Sequence, residues 1–571
     1  MAEDMTERTV NRRDLRQNPR WKRIRRRALA PLTAAVAALT LLAGCAGGAT
    51  GQTGARSQAG AGSEMQTITV NDTEPAAGLV PANTNDLAGW KVVTLLFDGL
   101  VTFDNDGGLK YVGAKSIEPN EDASQYTITL KDGLKFSDGE EITADTYAKA
   151  WSFAANAANG MLGAATLSTI KGYDALQDPK GGKDTQLEGL KVVDRHTLQV
   201  TLNAPDSSFP YKVGDIAYLP IPSSAIKDIK SFGEHPVGNG PYALKSWDHG
   251  RSIKLEVNKA YQGPRKARNA GIDFQIYQSL DAAYADLLAG HLDVLDTIPN
   301  TALATYRNED RIVAVSKPGP GFSSFTIPQS LPHFQGEEGR LRRAAIAHAI
   351  DRKRIASNIF RGSVTPATDF LAPVIKGYSK DLDADGALAY DPAKAKELWE
   401  QADRIAPWEG SFRIAYASDA TDKQWVDAAV NSIKNALGID AKAYPFPTSA
   451  ELSTAVNERT VGAAFKSGLQ SDYPHPEGYL VQGYGSAYAD GKGLNNGDYK
   501  SAEFDGLIAK AAASTDLGQS IDAYHQAERV LLRDLPVIPL WYKNVTAATS
   551  KAVKSAPFNY MGVPAYHLIE K

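Results

Sequence analysis

Cysteine is all but absent from this 571-residue chain: Cys45 is the only one. That excludes disulfides, cysteine zinc clusters and dithiol redox pairs. An excess of positive charge is missing too, since 62 Lys and Arg face 66 Asp and Glu for a net charge of −4. Nucleic acid is therefore not an expected partner. The nine histidines are scattered, with no H-E-x-x-H and no paired metal spacing, and no G-x-S-x-G elbow occurs. Gly238-x-Gly240 lacks the third glycine of a dinucleotide loop and precedes Pro241-Tyr242, so it reads as a turn. No repeat of 20 to 50 residues recurs, which argues against a solenoid or propeller. Nothing in these patterns proposes an enzyme, a cofactor or a metal.

The chain does hold an asymmetric N-terminus. Residues 1–28 carry ten Lys/Arg and four acids, and residues 28–44 carry no charge. A basic stretch, an apolar stretch and small residues before a cut form a secretory signal, here 1–44. Leu42-Ala43-Gly44-Cys45 resembles the lipobox of bacterial lipoproteins, which implies a lipid on Cys45 that anchors the protein to the membrane; an uncleaved apolar anchor is the alternative. Asn11-Arg12-Arg13-Asp14-Leu15 loosely resembles a twin-arginine motif, but seven basic residues separate that pair from the apolar run, which favours the general secretory route. Residues 45–65 are rich in Gly, Ala, Ser and Thr and read as a tether of roughly 25 Å.

Beyond it, length suggests three or four folding units with ample core. Strand-like alternation at 67–70, 126–130, 197–202 and 253–257 is interspersed with helical periodicity at 144–157, 280–289, 341–358 and 392–403, so the class is α/β. Lys131-Asp132-Gly133 and Ser137-Asp138-Gly139 bracket 134–136 as turn, strand, turn. Thr143 and Asp145 open a helix as cap and first-turn acid.

Several blocks carry a family pattern: Leu96-Phe-Asp-Gly-Leu-Val-Thr-Phe-Asp104, residues 126–139 with Ile142-Thr-Ala-Asp145, Gly238-Asn-Gly-Pro-Tyr-Ala-Leu-Lys-Ser-Trp247 and Ala289-Gly-His-Leu-Asp293. Others are Leu341-Arg-Arg-Ala344, Ala349-Ile-Asp-Arg352, Tyr390-Asp-Pro392, Ser471-Asp-Tyr-Pro474, Tyr499-Lys-Ser-Ala-Glu-Phe-Asp505 and Leu535-Pro-Val-Ile-Pro-Leu-Trp541. In this order, across 66–571, they resemble the extracellular solute-binding proteins of family 5, the oligopeptide, dipeptide and nickel receptors of ABC importers.

The resemblance implies a two-lobe periplasmic-binding-protein type II fold that closes on its ligand. The first lobe would comprise 66–105, 216–325 and 541–571, with an extra domain at 106–215; the second lobe would be 326–540. It implies a monomer that delivers short peptides to an ABC permease on the extracytoplasmic face. An oligosaccharide or chelated-nickel ligand, or a secreted hydrolase, remains the alternative.

By the same resemblance, Asp472 would pair with a peptide's α-ammonium; the residue alone reads rather as an Asp capping a helix or turn beside Pro474 and Pro476. Lys466 stands where these receptors place an arginine for a peptide carboxylate, and is otherwise a solvated lysine; Leu469 stands where they carry a tryptophan. The loop 83–87, with Asn85 and Leu87, would bind peptide backbone as an added strand does. Phe322, Phe325, Trp541 and Tyr542 would lie near aromatic cleft walls, with core packing the competing reading for each.

Overall fold

The computed structural model describes residues 65–571. The signal segment, Cys45 and nearly all of the tether lie outside the described residues. Alternation of buried and exposed side chains builds strands where the sequence alternates, as in Thr67–Asp72 and Gln125–Leu130. Helices follow where capping residues precede a 3.6-residue repeat: Thr143 forms a capping box with Thr146 ahead of Ala144–Ala155. Two expectations are corrected. The single helical run at 341–358 is two helices, Gly336–Ala349 and Arg352–Asn358, because Asp351 leaves helical geometry and caps the second through Arg354. Residues 134–136 contribute only an isolated bridge, Lys135 to Glu141, since Gly133 and Gly139 at positive φ turn the chain on both sides.

One mixed sheet organises the chain, in the order Ala441–Phe446, Phe412–Ala417, Ala464–Leu469, Ile312–Thr326, Val537–Ser550, Val294–Leu295, Thr67–Asp72, Gly271–Ile276, Ser252–Val257, Tyr242–Asp248. The fourth and fifth are long antiparallel partners that run through both halves of the sheet. Their register breaks between Pro318 and Phe322, at Pro318-Gly319-Pro320-Gly321. Two prolines remove two backbone donors and the glycines permit close approach: a Cβ on Gly319 would lie 3.0 Å from the Lys543 carbonyl. A ladder interrupted at one level, on the two strands that join the halves, is a place where the halves can bend relative to each other.

Two cores flank this break. One unites the Thr67–Asp72 half with the four-stranded antiparallel sheet Ala114–Pro119, Gln125–Leu130, Thr197–Thr201, Leu190–Asp194, around Trp151, Tyr126 and Phe209. The small sheet is thus an outgrowth of the first lobe. The other core fills the second lobe around Phe325, Trp425, Tyr524 and Trp541.

The sequence blocks at Leu96–Asp104 and Gly238–Trp247 brace the first lobe against each other. Gly240 donates its N–H to the Leu96 carbonyl at 2.8 Å, and Asn239 accepts from the Asp98 N–H and donates to the Asp98 carbonyl. A Cβ on Gly238 would stand 1.9 Å from the Leu96 carbonyl oxygen. Arg265 then closes the end of the Leu87–Leu96 helix, donating to the Thr94 and Phe97 carbonyls and pairing with Asp98.

Candidate functional site

The strand Ala464–Leu469 has one edge against Ile312–Thr326, from Phe465 to Leu469. Its other edge pairs with Phe412–Ala417 only at Ala464 and Phe465. From Lys466 onward that edge is open, next to the hinge. A cavity of about 490 Å³ lies along it, lined by Lys466 to Gln470, Leu452, Tyr484 and Asn495 among others. Lys466 is half-exposed there, 4.0 Å from Asp422. Leu469 fills space that only a glycine opposite can give, since a Cβ on Gly483 would stand 2.6 Å from it. On the cavity's inner side Ser467 accepts from Thr326 at 2.9 Å and bonds Ser324 at 2.8 Å. An extended chain laid on this edge would find backbone partners and room for side chains.

Asp472 follows this strand by three residues and is solvent-exposed. Its backbone carbonyl accepts a hydrogen bond from the Tyr560 hydroxyl at 2.7 Å, tying the C-terminal segment to the second lobe. The Asp472 carboxylate has no ion-pair partner among the described residues. Surrounding protein partly strips it of water, which raises its pKa above the usual carboxylate value. Tyr560 packs edge-on against Phe103 at 5.2 Å, and Phe103 stacks on Tyr211 at 5.8 Å. The Phe103 ring also covers Gly214, where a Cβ would lie 2.6 Å from it. The next residue, Asp215, accepts from the Ala217 N–H at 2.8 Å. Burial, with the Asp472 charge adding to it, pushes Asp215 up to about 6. The Asp472 charge on one side of the hinge therefore reaches Asp215 on the other. Such an arrangement favours a cation.

Behind Asp472 the chain is gripped firmly. Lys212, at the end of the extra domain, pairs with Asp206 at 2.7 Å and with Glu477 at 3.2 Å, and Glu477 accepts from the Tyr473 hydroxyl. His475 packs between Tyr211 and Tyr524, at 4.9 and 5.6 Å, and burial lowers its pKa to about 3, so it is neutral. The segment bearing Asp472 is thus a fixed mount. Asp215, Tyr560 and this mount were not singled out in the sequence.

Asn85 and Leu87 lie on the first lobe, both exposed, Leu87 at 52 %. Asp86 between them caps the Leu87–Leu96 helix through the Gly89 N–H. The same loop is tied to the extra domain: Gly163 donates to the Ala82 carbonyl and Leu162 to the Asn83 side chain. Leu162 is 55 % exposed and adds a second apolar side chain to this surface. No hydrogen bond joins Asn85 or Leu87 to Asp472 or Lys466.

Phe322, Phe325, Trp541 and Tyr542, which the expected bounds place on the first lobe, pack instead in the second-lobe core, exposed by 2, 0, 3 and 1 %, because the crossing strands carry them past the register break. Phe322 packs on Phe370, Phe325 on Phe412, and Trp541 between Phe360 and Trp425. The Tyr542 hydroxyl is committed to the backbone of Asp369, accepting from its N–H and donating to its carbonyl, both at 3.0 Å. These four rings follow the core reading because the second-lobe ends of the crossing strands are covered on both faces: Val537 to Tyr542 are buried at every position, and Phe322 to Thr326 at all but Ser323. The structure brings Lys466, Leu469 and the open edge together, sets Asp472 beside the hinge, and leaves the four aromatics inside. Among the described residues no group of three or more His, Cys, Asp or Glu is arranged to hold a metal, and no helix is long and apolar enough to cross a membrane.

Two lobes on one sheet, joined by two crossing strands with an interrupted ladder beside an open strand edge, define a hinged solute-binding protein. The chain belongs to family 5 of the bacterial extracellular solute-binding proteins, whose middle region matches residues 109–491. It is 26% identical over 513 residues to the dipeptide-binding protein DppE of Bacillus subtilis, covering 88% of this chain and 91% of that one. To the oligopeptide-binding protein OppA of the same organism it is 26% identical over 532 residues, covering 90% and 94%. The fold is that of the periplasmic murein tripeptide-binding protein MppA in its unliganded open form, with a TM-score of 0.78, 21% identity and 89% and 97% of the two chains covered.

Proposed function

We propose that the protein captures short peptides outside the cell membrane and hands them to the permease of an ABC importer, with no chemical step of its own. The observation that carries this reading is the unpaired Asp472 carboxylate beside the open edge of Ala464–Leu469. An extended peptide with a free amine brings what each lacks, backbone groups for the edge and a cation for the carboxylate. Peptide backbone on a strand edge gives affinity without reading sequence, which suits a receptor for many peptides. The relatives named for dipeptides and oligopeptides support the same class of ligand.

Three further parts belong to the proposal. Lys466 meets the peptide's carboxylate or an acidic side chain, while Asn85 and Leu87 close over the peptide from the first lobe. The lobes divide at the register break of the crossing strands, with the extra domain moving with the first lobe. A lipid on Cys45 holds the monomer at the membrane by a short tether.

Native mass spectrometry of the protein isolated from its host tests the ligand. Release of masses that fragment as short peptides is the expected result. A bound hexose series, or a nickel response abolished by chelator, would replace the reading, and consumption of the ligand on incubation would make the protein a hydrolase. For the anchor, Cys45→Ser should abolish fatty-acid labelling; persistent labelling would refute it.

A further inference from the structure

A cavity larger than the one beside Lys466 lies elsewhere in the molecule. A space of about 750 Å³ opens in the seam between the extra domain and the second lobe. One wall is the extra-domain stretch through Ala204, Pro205 and Lys212, and the other is made by the helices Glu477–Tyr484, Ala502–Ala512 and Leu517–Asp534. Glu477 and Tyr524 line it, and Asp472 does not.

We propose that this seam cavity is a second ligand site, which takes a small primary amine carried on an apolar body. The charge on its walls points to a cation. Asp206, Glu477 and Asp505 line it against one cation, Lys212. Lys212 is already shared between Asp206 and Glu477, and Asp505 has a single partner, the Ser486 N–H at 3.0 Å on one oxygen. The Tyr524 hydroxyl is buried without a hydrogen-bond partner, and burial with the charges of Glu477 and Asp206 raises its pKa further. A neutral phenol beside two carboxylates keeps lone pairs that accept from an N–H donor such as an ammonium.

Size and lining complete the description. Val481, Ile508 and Ala512 supply apolar wall, and Tyr488 an aromatic face of the kind that attracts ammonium groups. The volume is in the range of small-molecule sites. An occupant touches both the extra domain and the second lobe, so it binds better to the arrangement in which those bodies are together than to one in which they part. Amine and peptide are then coupled through the hinge, each changing the other's affinity by the same factor. The site goes beyond the peptide reading and stands or falls separately from it.

The test is calorimetry of the mature protein with 2-phenylethylamine and, as neutral isostere, 2-phenylethanol. The amine should bind at least roughly tenfold more tightly than the alcohol. Asp505→Asn, which keeps the bond from Ser486, should weaken the amine by about tenfold and leave peptide affinity unchanged. Ile508→Trp, which fills the cavity, should abolish amine binding; Asp472→Ala should leave it intact. No binding, or equal affinity for amine and alcohol, would overturn the proposal. So would loss of amine binding in Asp472→Ala with none in Asp505→Asn, because the amine would then sit in the peptide cleft.

Discussion

Asp472→Ala isolates the contribution of one carboxylate to ligand capture. In the free protein this group has no ion-pair partner among the described residues, and its charge adds to the burial that raises a second acid, Asp215. When a peptide ammonium arrives at about 4 Å in surroundings of effective dielectric near 20, the direct attraction is about 4 kcal/mol. Deleting the carboxylate leaves the ammonium enclosed and unpaired, a loss of about 3–5 kcal/mol. That corresponds to roughly a few hundred- to several thousand-fold in affinity. Calorimetry with trialanine and N-acetyl-trialanine separates this from general damage. The free-amine peptide should weaken by that factor in Asp472→Ala, and the acetylated one should change little. A further consequence concerns the free protein: Asp472→Asn removes the charge that helps hold Asp215 at about 6, so the Asp215 carboxyl should titrate at a lower pH in a carbon-13 NMR experiment. Equal affinity of wild type and Asp472→Ala for trialanine would refute the reasoning.

Other consequences follow from groups away from the cleft. Asp369 and Glu528 are both fully buried in the second lobe; burial pushes Asp369 from 3.8 up to about 7, and burial with the neighbouring Asp369 charge raises Glu528 well above its usual value. The folded state holds these protons more tightly than the unfolded one, so the associated stability is present at low pH and is lost as pH rises through about 7. The melting temperature should fall between about pH 5 and 8 in wild type and fall less in Asp369→Asn; equal slopes in scanning calorimetry would contradict this. Gly238→Ala places a methyl 1.9 Å from the Leu96 carbonyl oxygen and should cost about 1–3 kcal/mol or more in a urea melt. Lys212→Met strands Asp206 and Glu477 without their cation and should cost about 3–5 kcal/mol in the same assay.

How much of this was legible depends on the range of the contact. Strands such as Gln125–Leu130 and Thr197–Thr201 show in the sequence because alternation is a local property. The strand Ile312–Thr326 does not: Pro-Gly-Pro-Gly at its centre breaks any alternation, yet the strand runs on because Val537–Ser550 pairs with it on both sides of the interruption. The Gly238-x-Gly240 turn was visible as a turn, but its purpose, room for the end of a helix, needed the Leu96 carbonyl. Asp472 could be singled out only through the family resemblance, since its own neighbours read as a turn. Tyr560, 88 residues away, could not, and neither could Asp215. The open edge past Phe465 was hidden for the same reason, since an unpaired edge is a fact about where other strands stop. The small-sheet core around Tyr126, Trp151 and Phe209 merges with that of the first lobe through contacts no local pattern encodes.

The central claim is that a peptide lies extended between the lobes with its amine on Asp472. A crystal structure of the protein with the peptide it carries from its host tests this most directly. The peptide ammonium should lie about 3 Å from the Asp472 carboxylate, with the peptide backbone paired along Lys466 to Leu469. A ligand held elsewhere, or a peptide whose amine faces solvent while Asp472 remains unpaired, would contradict it.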